Sequence, residues 1–347
     1  MSSLRVAMLG TPAFAVPTLK ALLASSHHVV GVITQPDRPR GRGQHVSSGP
    51  VKALAIEHRL QILQPERLRR ERFEGDFDAL QADLAVVAAY GKLLPAWLLA
   101  KPRLGFVNVH ASLLPKYRGA SPVHHAVMAG DEETGVTIMR VIEALDAGPM
   151  LAQRRVPIGP DATTAEIEAA LATFGAAILV QTVDRIAQGP VAERAQNDAE
   201  ASYAPRLTKA AGMVDWSRPA SAVHNQVRGL IPWPLAYTFL GGSRLILRRS
   251  RLANELPAPS DGHESRVPSP VAPGAGGSGL AAIRQAGTIA RLAGGGPAVA
   301  CGDGRLLELV ELQPEGRRAM SGHDALVGRV LVPGQQFDRV GSQLDRP

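Results

Sequence analysis

The run LRVAMLGTPAFAVPTLKALLASSHHVVGVIT (residues 4–34) decides the fold class. Two short apolar stretches, 4–10 and 27–34, flank a segment, 14–25, in which leucines recur at helical spacing. This order predicts a strand, a helix and a second strand of the same sheet. Because both stretches are almost wholly apolar, we expect a sheet that is covered on both faces.

The same alternation continues for about 190 residues. DLAVVAAYG (83–91), LGFVNVH (104–110) and GVTIMRVI (135–142) predict further buried strands, and MLAQRRVPI (150–158) alternates like an exposed one. Residues 163–189 have the pattern of a long amphipathic helix. We therefore predict an α/β fold: a mostly parallel, Rossmann-like sheet with helices on both faces.

The composition changes after residue 189. Short apolar runs separated by GG and GDG turns, preceded by a helical pattern at 220–231, predict a small C-terminal β-barrel of OB-like form. Residues 254–279 are rich in Pro, Gly and Ser, which predicts a mobile surface insertion. The predicted segments are a first domain (1–189), a polar linker without periodicity (190–207), the barrel domain (208–332) and a tail (333–347).

Composition limits the classes of protein that remain. The single cysteine, Cys301, excludes an intramolecular disulfide and a cysteine-based metal site. No apolar run reaches the ~18 residues of a membrane span, and the first residues lack the pattern of a signal peptide, so we expect a cytoplasmic protein. The pairs at 27–28 and 124–125 are adjacent histidines whose side chains point apart, and we expect no metal.

Basic side chains cluster twice in a chain of net charge +7. On charge alone, solvated residues on a loop and an edge strand are the simpler interpretation, and contact with a polyanion is the alternative. The clusters are Arg38, Arg40 and Arg42 within 35–45, and Arg244, Arg248, Arg249 and Arg251 within 244–251.

Three common sites are excluded by their missing motifs. The first predicted strand ends in Gly10-Thr11-Pro12, which is not the glycine-rich turn of a dinucleotide site. The chain has no phosphate-binding P-loop and no nucleophile elbow of the G-x-S-x-G type.

Polar residues at the ends of two predicted strands give a candidate site, because ligands of open parallel sheets bind beyond the carboxyl ends. Asn108 and His110 are two residues apart and so lie on one face of a strand. Asp146 follows another strand, from which it is expected to face His110. Each residue alone is usually structural. Together, an amide donor, an imidazole and a carboxylate suit acyl transfer.

Several stretches of the sequence, and the order in which they follow one another, resemble the methionyl-tRNA formyltransferases, a branch of the folate-dependent formyltransferases. The resemblance runs from about Leu4 to about Val332. Residues 108–122 are typical of the wider class, whereas the arginine-rich loop and the C-terminal motifs are typical of the tRNA branch. The stretches are GTPAFAVPTLKALL, TQPDRPRGRG, AYGKLLP, NVHASLLPKYRGASPV, GDEETGVTIM, LDAGPML, IPWPLAYT and QPEGRRAM.

The resemblance implies roles for individual residues. It implies a catalytic first domain and a tRNA-binding barrel domain, 10-formyltetrahydrofolate as formyl donor, initiator methionyl-tRNA as acceptor, no metal, no membrane contact and a monomer. Ala13 and Pro149 depart from residues common in the family. The implied site residues are Asn108, His110 and Asp146 for catalysis, Ser112, Leu113, Leu114 and Pro115 for tetrahydrofolate, and Arg38, Arg40, Arg42, Arg244, Arg248 and Arg249 for tRNA.

Two other functions remain open on the sequence. A related formyltransferase acting on a small amine, such as glycinamide ribonucleotide or a nucleotide amino sugar, would keep the three catalytic residues but would not need the arginine clusters. A folate-hydrolysing or non-catalytic RNA-binding protein could also have inherited the fold.

Overall fold

A computed structural model describes residues 3–40, 45–253 and 285–338 of the chain. The chain forms two compact units. The first unit comprises Met1–Ala126, Glu132–Gly159 and Ala165–Arg206, and the second comprises Val127–Asp131, Pro160–Thr164 and Leu207–Pro347.

Strands and helices alternate through the first two thirds of the chain. In order they are β1 (Arg5–Gly10), α1 (Val16–Leu23), β2 (His28–Ile33), β3 (Arg38–Arg40), β4 (His45–Ser47), α2 (Pro50–Glu57), β5 (Ile62–Leu63), α3 (Arg70–Asp78), β6 (Leu84–Ala88), α4 (Ala96–Leu99), β7 (Phe106–His110), β8 (Arg118–Gly119), α5 (Pro122–Ala129), β9 (Glu133–Arg140), β10 (Met150–Pro157), α6 (Thr164–Gln188) and β11 (Tyr203–Ala204).

A seven-stranded sheet organises the first unit, in the order β10-β9-β7-β6-β1-β2-β5. The five strands from β7 to β5 run parallel. The central strands are almost wholly buried, as their continuous apolar sequences predict. Aromatic side chains pack beneath them, with the rings of Phe77 and Phe106 stacked at 6.2 Å. The predicted α/β class with a mostly parallel sheet is confirmed.

Strand β9 runs antiparallel to β7, which the sequence did not predict. His110 lies opposite Thr137, whereas Val107 lies opposite Arg140, where β9 ends. Strand β9 therefore ends beside the beginning of β7, and not beside its carboxyl end. The prediction that the end of this strand brings Asp146 next to His110 is wrong, because β9 ends away from His110. The chain has to turn back before Asp146 reaches the histidine. The loop 141–149 makes that turn before β10 begins.

Helix α6 is the one element in the described ranges that is long and apolar enough, by length and hydropathy alone, to cross a membrane. This differs from the expectation of no such segment. The core helix of a soluble protein passes the same test, and in α6 Leu171, Leu179 and Val183 are fully buried within the first unit.

The stretch that sequence analysis predicts as a polar linker without periodicity (190–207) belongs, up to Arg206, to the first unit, and it makes specific contacts with the rest of that unit. Met150 and Arg194 exchange two backbone hydrogen bonds of 2.8 and 2.9 Å. Strand β11 pairs with β8, with Tyr203 opposite Arg118. Its contacts are individual hydrogen bonds and a two-residue strand, which require no periodic pattern in the sequence.

An antiparallel sheet dominates the second unit, in the order β12-β13-β16-β15-β14, with β17 paired to β16. Its core includes Trp216, whose ring stacks on Phe337 at 5.2 Å and whose Nε1 donates to Thr238 Oγ1. The barrel-like C-terminal architecture is confirmed, and the insertion at 254–279 lies outside the described residues. The elements are α7 (Ala220–Gly229), β12 (Ala236–Leu240), β13 (Ser243–Leu252), β14 (Ile289–Arg291), β15 (Pro297–Ala300), β16 (Leu306–Pro314), β17 (Met320–Ser321) and α8 (Gly322–Val327).

Candidate active site

A cavity of about 660 Å³ in the first unit brings Asn108, His110 and Asp146 together. Its wall also contains residues that follow β1 and β6 and residues of the loop 141–149. A cavity of this size accommodates a small molecule or one end of a larger one.

The Asn108 side chain is half-buried on β7 and has no hydrogen-bond partner among the described residues. Its position follows from the strand period, which puts Asn108 and His110 on the same face. The amide is therefore free to donate to a ligand in the cavity.

The imidazole of His110 is almost buried, with 5% of the residue exposed. Its Nε2 lies 3.0 Å from the carbonyl oxygen of Tyr117. Because a carbonyl only accepts, Nε2 carries the hydrogen of this bond. Nδ1 is therefore the ring atom that is left for chemistry in the cavity.

The carboxylate of Asp146 faces that ring atom, with Oδ2 3.6 Å from His110 Nδ1. The backbone N–H of Gly119 donates to the same Oδ2 at 2.8 Å. Asp146 itself has a φ of +48°, in the left-handed region that non-glycine residues seldom adopt. Two residues on, a Cβ at Gly148 would lie 2.0 Å from the Arg140 carbonyl oxygen, so the loop needs glycine there.

Two residues that sequence analysis did not select hold this loop from outside. Gln196 Nε2 donates to the carbonyl oxygens of Asp146 and Gly148, both at 2.8 Å. The buried guanidinium of Arg118 donates to Gln196 Oε1 at 3.0 and 2.9 Å. The only sequence signal for Gln196 was its place in a polar stretch, which gives no indication of its partners.

Glu168 on α6 is a further wall residue that sequence analysis missed. Burial raises the pKa of its carboxyl group. Its Oε1 lies 3.8 Å from His124 Nδ1. His125 contacts a different group, the carbonyl oxygen of Pro205. The two histidines thus point apart, as adjacent residues are expected to.

The four residues assigned to tetrahydrofolate by resemblance do not line the cavity. They form the turn after His110. Ser112 is buried and donates to the Lys116 carbonyl oxygen at 2.6 Å, and Leu114 is also buried, with its N–H bonded to Thr137 Oγ1. Of the set Ser112, Leu113, Leu114 and Pro115, the structure brings none to the cavity surface.

The arginines assigned to tRNA differ in whether another side chain of the protein already contacts their charged group. Arg248 Nε bonds to Glu311 at 3.1 Å, and the Arg244 guanidinium lies 4.0 Å from the centre of the Tyr237 ring. Arg249 is exposed and forms no ion pair among the described residues. Arg38 is exposed on β3. Arg42 and the side chain of Arg40 lie outside the described residues.

Within the described ranges, no three His, Cys, Asp or Glu side chains converge as ligands for a metal would.

Comparison with known proteins identifies the family. The formyl transferase family model matches residues 4–183, and the model of the formyl transferase C-terminal domain matches residues 206–329. The methionyl-tRNA formyltransferase of Acidobacterium capsulatum is 42% identical over 95% of this chain and 98% of that protein. The one of Paracoccus denitrificans is 43% identical over 94% and 98%. This chain belongs to the methionyl-tRNA formyltransferase family. It is therefore an enzyme of formyl transfer, as the sequence resemblance predicts.

Solved structures share the fold at much lower identity. A sugar 3N-formyl transferase, WlaRD, determined with dTDP and 5-N-formyl-THF, has a TM-score of 0.62 and 16% identity over 92% of this chain and 100% of its own. HypX from Aquifex aeolicus in complex with tetrahydrofolic acid has a TM-score of 0.58 and 14% identity, over 94% of this chain and 47% of its own. These similarities show the fold that the chains share.

Proposed function

We propose that the enzyme transfers the formyl group of 10-formyltetrahydrofolate to the free α-amine of methionyl initiator tRNA. The observation that carries this proposal is the convergence of the free Asn108 amide, His110 Nδ1 and the Asp146 carboxylate in one cavity. These are the groups that a tetrahedral oxyanion and a reacting amine require.

The proposed reaction needs no protein nucleophile. The neutral amine attacks the formyl carbon, and the carbonyl oxygen becomes an oxyanion that accepts hydrogen bonds from Asn108 and from protonated His110 Nδ1. The proton lost by the amine passes to Asp146, directly or through one water. The oxyanion then collapses to the carbonyl of the new formamide as the C–N10 bond breaks, and the proton held by Asp146 passes to N10, so that tetrahydrofolate leaves as a neutral amine.

Apolar side chains at the rim of the cavity support a folate as its occupant. Leu93, Ile142 and Leu145 line the cavity and are 74%, 43% and 49% exposed. Exposed apolar groups around a pocket are typical of ligand-binding surfaces. We propose that they cover the flat rings of the folate, while the turn 112–115 supports the cavity from behind.

We propose that tRNA phosphates bind to the unpaired arginines rather than to all of the predicted ones. Arg249 in the second unit and Arg38 in the first supply this charge, and the family resemblance adds Arg40 and Arg42. Arg248 contributes less, because Glu311 already compensates it. Contacts of this kind make affinity depend on salt, and the acceptor end is read through its unpaired bases.

The proposal includes a catalytic domain at 1–189, a linker at 190–207 and a tRNA-binding domain at 208–332. It also includes a cytoplasmic monomer, since one chain carries both the catalytic groups and the exposed arginines.

The test is transfer of labelled formyl from 10-formyltetrahydrofolate to initiator methionyl-tRNA, elongator methionyl-tRNA, glycinamide ribonucleotide and a nucleotide amino sugar. We expect transfer to initiator methionyl-tRNA at the highest kcat/KM. Faster transfer to a small amine would replace the proposal by the small-amine function. Release of formate at the same rate with and without an acceptor would indicate a hydrolase.

A further inference from the structure

We propose that Gln196 is a positioning residue for formyl transfer, which acts by holding the loop that carries Asp146. This inference rests on the proposed role of Asp146 as the group that receives the amine proton. Gln196 itself lines no part of the cavity.

The loop requires an external support because its backbone is strained. Asp146 has a left-handed φ of +48°, a conformation that few non-glycine residues adopt. A backbone of this kind persists only where its surroundings fix it. Gln196 Nε2 supplies that support, since its two hydrogens satisfy the carbonyls of Asp146 and Gly148 on either side of the bend.

Arg118 determines which way the Gln196 amide points. An arginine can only donate, so its Nε and Nη2 require the amide oxygen of Gln196 on their side. The amide nitrogen must then face the loop. Arg118 is fixed in turn, with 4% of the residue exposed and Nη2 bonded to Asp198 Oδ1 at 2.7 Å.

The same short strand also holds the Asp146 side chain. Arg118 and Gly119 form β8, and the N–H of Gly119 donates to Asp146 Oδ2. Strand β8 therefore fixes Asp146 in two ways. Gly119 holds the carboxylate directly, and Arg118 holds the backbone through Gln196. Loss of the Gln196 bonds frees the backbone to relax and to carry the carboxylate away from His110 Nδ1.

Two substitutions at Gln196 test this inference in the full-length enzyme. Gln196→Glu keeps the shape and the oxygen that faces Arg118 but places an oxygen against two carbonyls, and Gln196→Ala removes all of these bonds. We expect kcat to fall about 10- to 100-fold, because a shift of the order of 1 Å in a catalytic group has that effect. KM for both substrates stays within about 2-fold, since no substrate contact is lost.

Asn197→Ala is the matched control. Asn197 is the neighbouring amide, and its side chain bonds to Ala199 and Glu200 rather than to the Asp146 loop. We expect the control to keep the kcat of the original enzyme. An equal fall in kcat in Asn197→Ala, or unchanged kcat in both Gln196 variants, would overturn the inference.

A double-mutant cycle separates positioning from a general structural role. In an Asp146→Asn background, Gln196→Glu should lower kcat by no more than about 2-fold, because the group that it positions is already disabled. A further loss equal to that in the original enzyme would overturn the inference. If Asp146→Asn alone left kcat unchanged, the proposed role of Asp146 would fail first, and the inference with it. A fall in kcat for Asp146→Asn beside normal Gln196 variants would remove the inference only.

Discussion

Replacing Asn108 by alanine removes one donor to the oxyanion and little else. The amide has no hydrogen-bond partner among the described residues, so the substitution breaks no bond of the fold. We therefore expect the free energy of unfolding to change by less than about 1 kcal/mol. The loss of one oxyanion donor costs about 100- to 1000-fold in kcat, equivalent to about 2.7–4 kcal/mol in the barrier.

The assay is single-turnover formyl transfer to initiator methionyl-tRNA, with saturating 10-formyltetrahydrofolate. Tetrahydrofolate affinity, measured on the same preparation, serves as the control and should remain within about 2-fold. A rate within 3-fold of the original enzyme at normal folate affinity would refute the assignment of Asn108 as an oxyanion donor.

Three further predictions concern charge, the active-site loop and pH. Arg249→Ala should raise KM for tRNA and lower the slope of log KM against log salt by about 1, whereas Arg248→Ala should change both less; equal effects would contradict the distinction between paired and unpaired arginines. Gly148→Ala should lower stability by about 1–3 kcal/mol in urea unfolding and reduce kcat, because its Cβ meets the Arg140 carbonyl; an unchanged kcat would contradict the role of the loop. Burial lowers the pKa of the His224 imidazole, so its stabilising contribution is present above the ordinary histidine pKa and lost as the pH falls through the lowered value. The urea midpoint should therefore fall on acidification from pH 7 to 5, and fall less in His224→Gln.

The central part of the fold and two of the three site residues could be predicted from local sequence. The continuous apolar runs of β1 and β6 specify buried parallel strands. Asn108 and His110 share a face because side chains alternate along any strand, whatever surrounds it.

The approach of Asp146 to His110 was predicted for the wrong reason. An apolar run indicates a strand but not its direction, so the antiparallel β9 could not be foreseen from GVTIMRVI. Proximity comes instead from the loop 141–149, whose path depends on Gly148 and on bonds to distant residues. Such bonds leave no periodic signal in the sequence.

The sequence could not predict which arginines of β13 are paired, because this depends on their partners in the folded protein. Arg244, Arg248 and Arg249 are equivalent as charges in the sequence. Tyr237 on β12 lies beside Arg244. Glu311 on β16 is opposite Arg249 in the strand register, but the register is irregular there and the Glu311 carboxylate bonds to Arg248. The polar stretch around Gln196 is ordered for the same kind of reason.

The most direct test of the account is a crystal structure of the enzyme with a non-transferable analogue of 10-formyltetrahydrofolate. We predict the formyl oxygen within about 3.2 Å of Asn108 Nδ2 and His110 Nδ1, with the Asp146 carboxylate on the side open to the acceptor amine. A formyl group bound outside this cavity, or turned away from Asn108 and His110, would contradict the account.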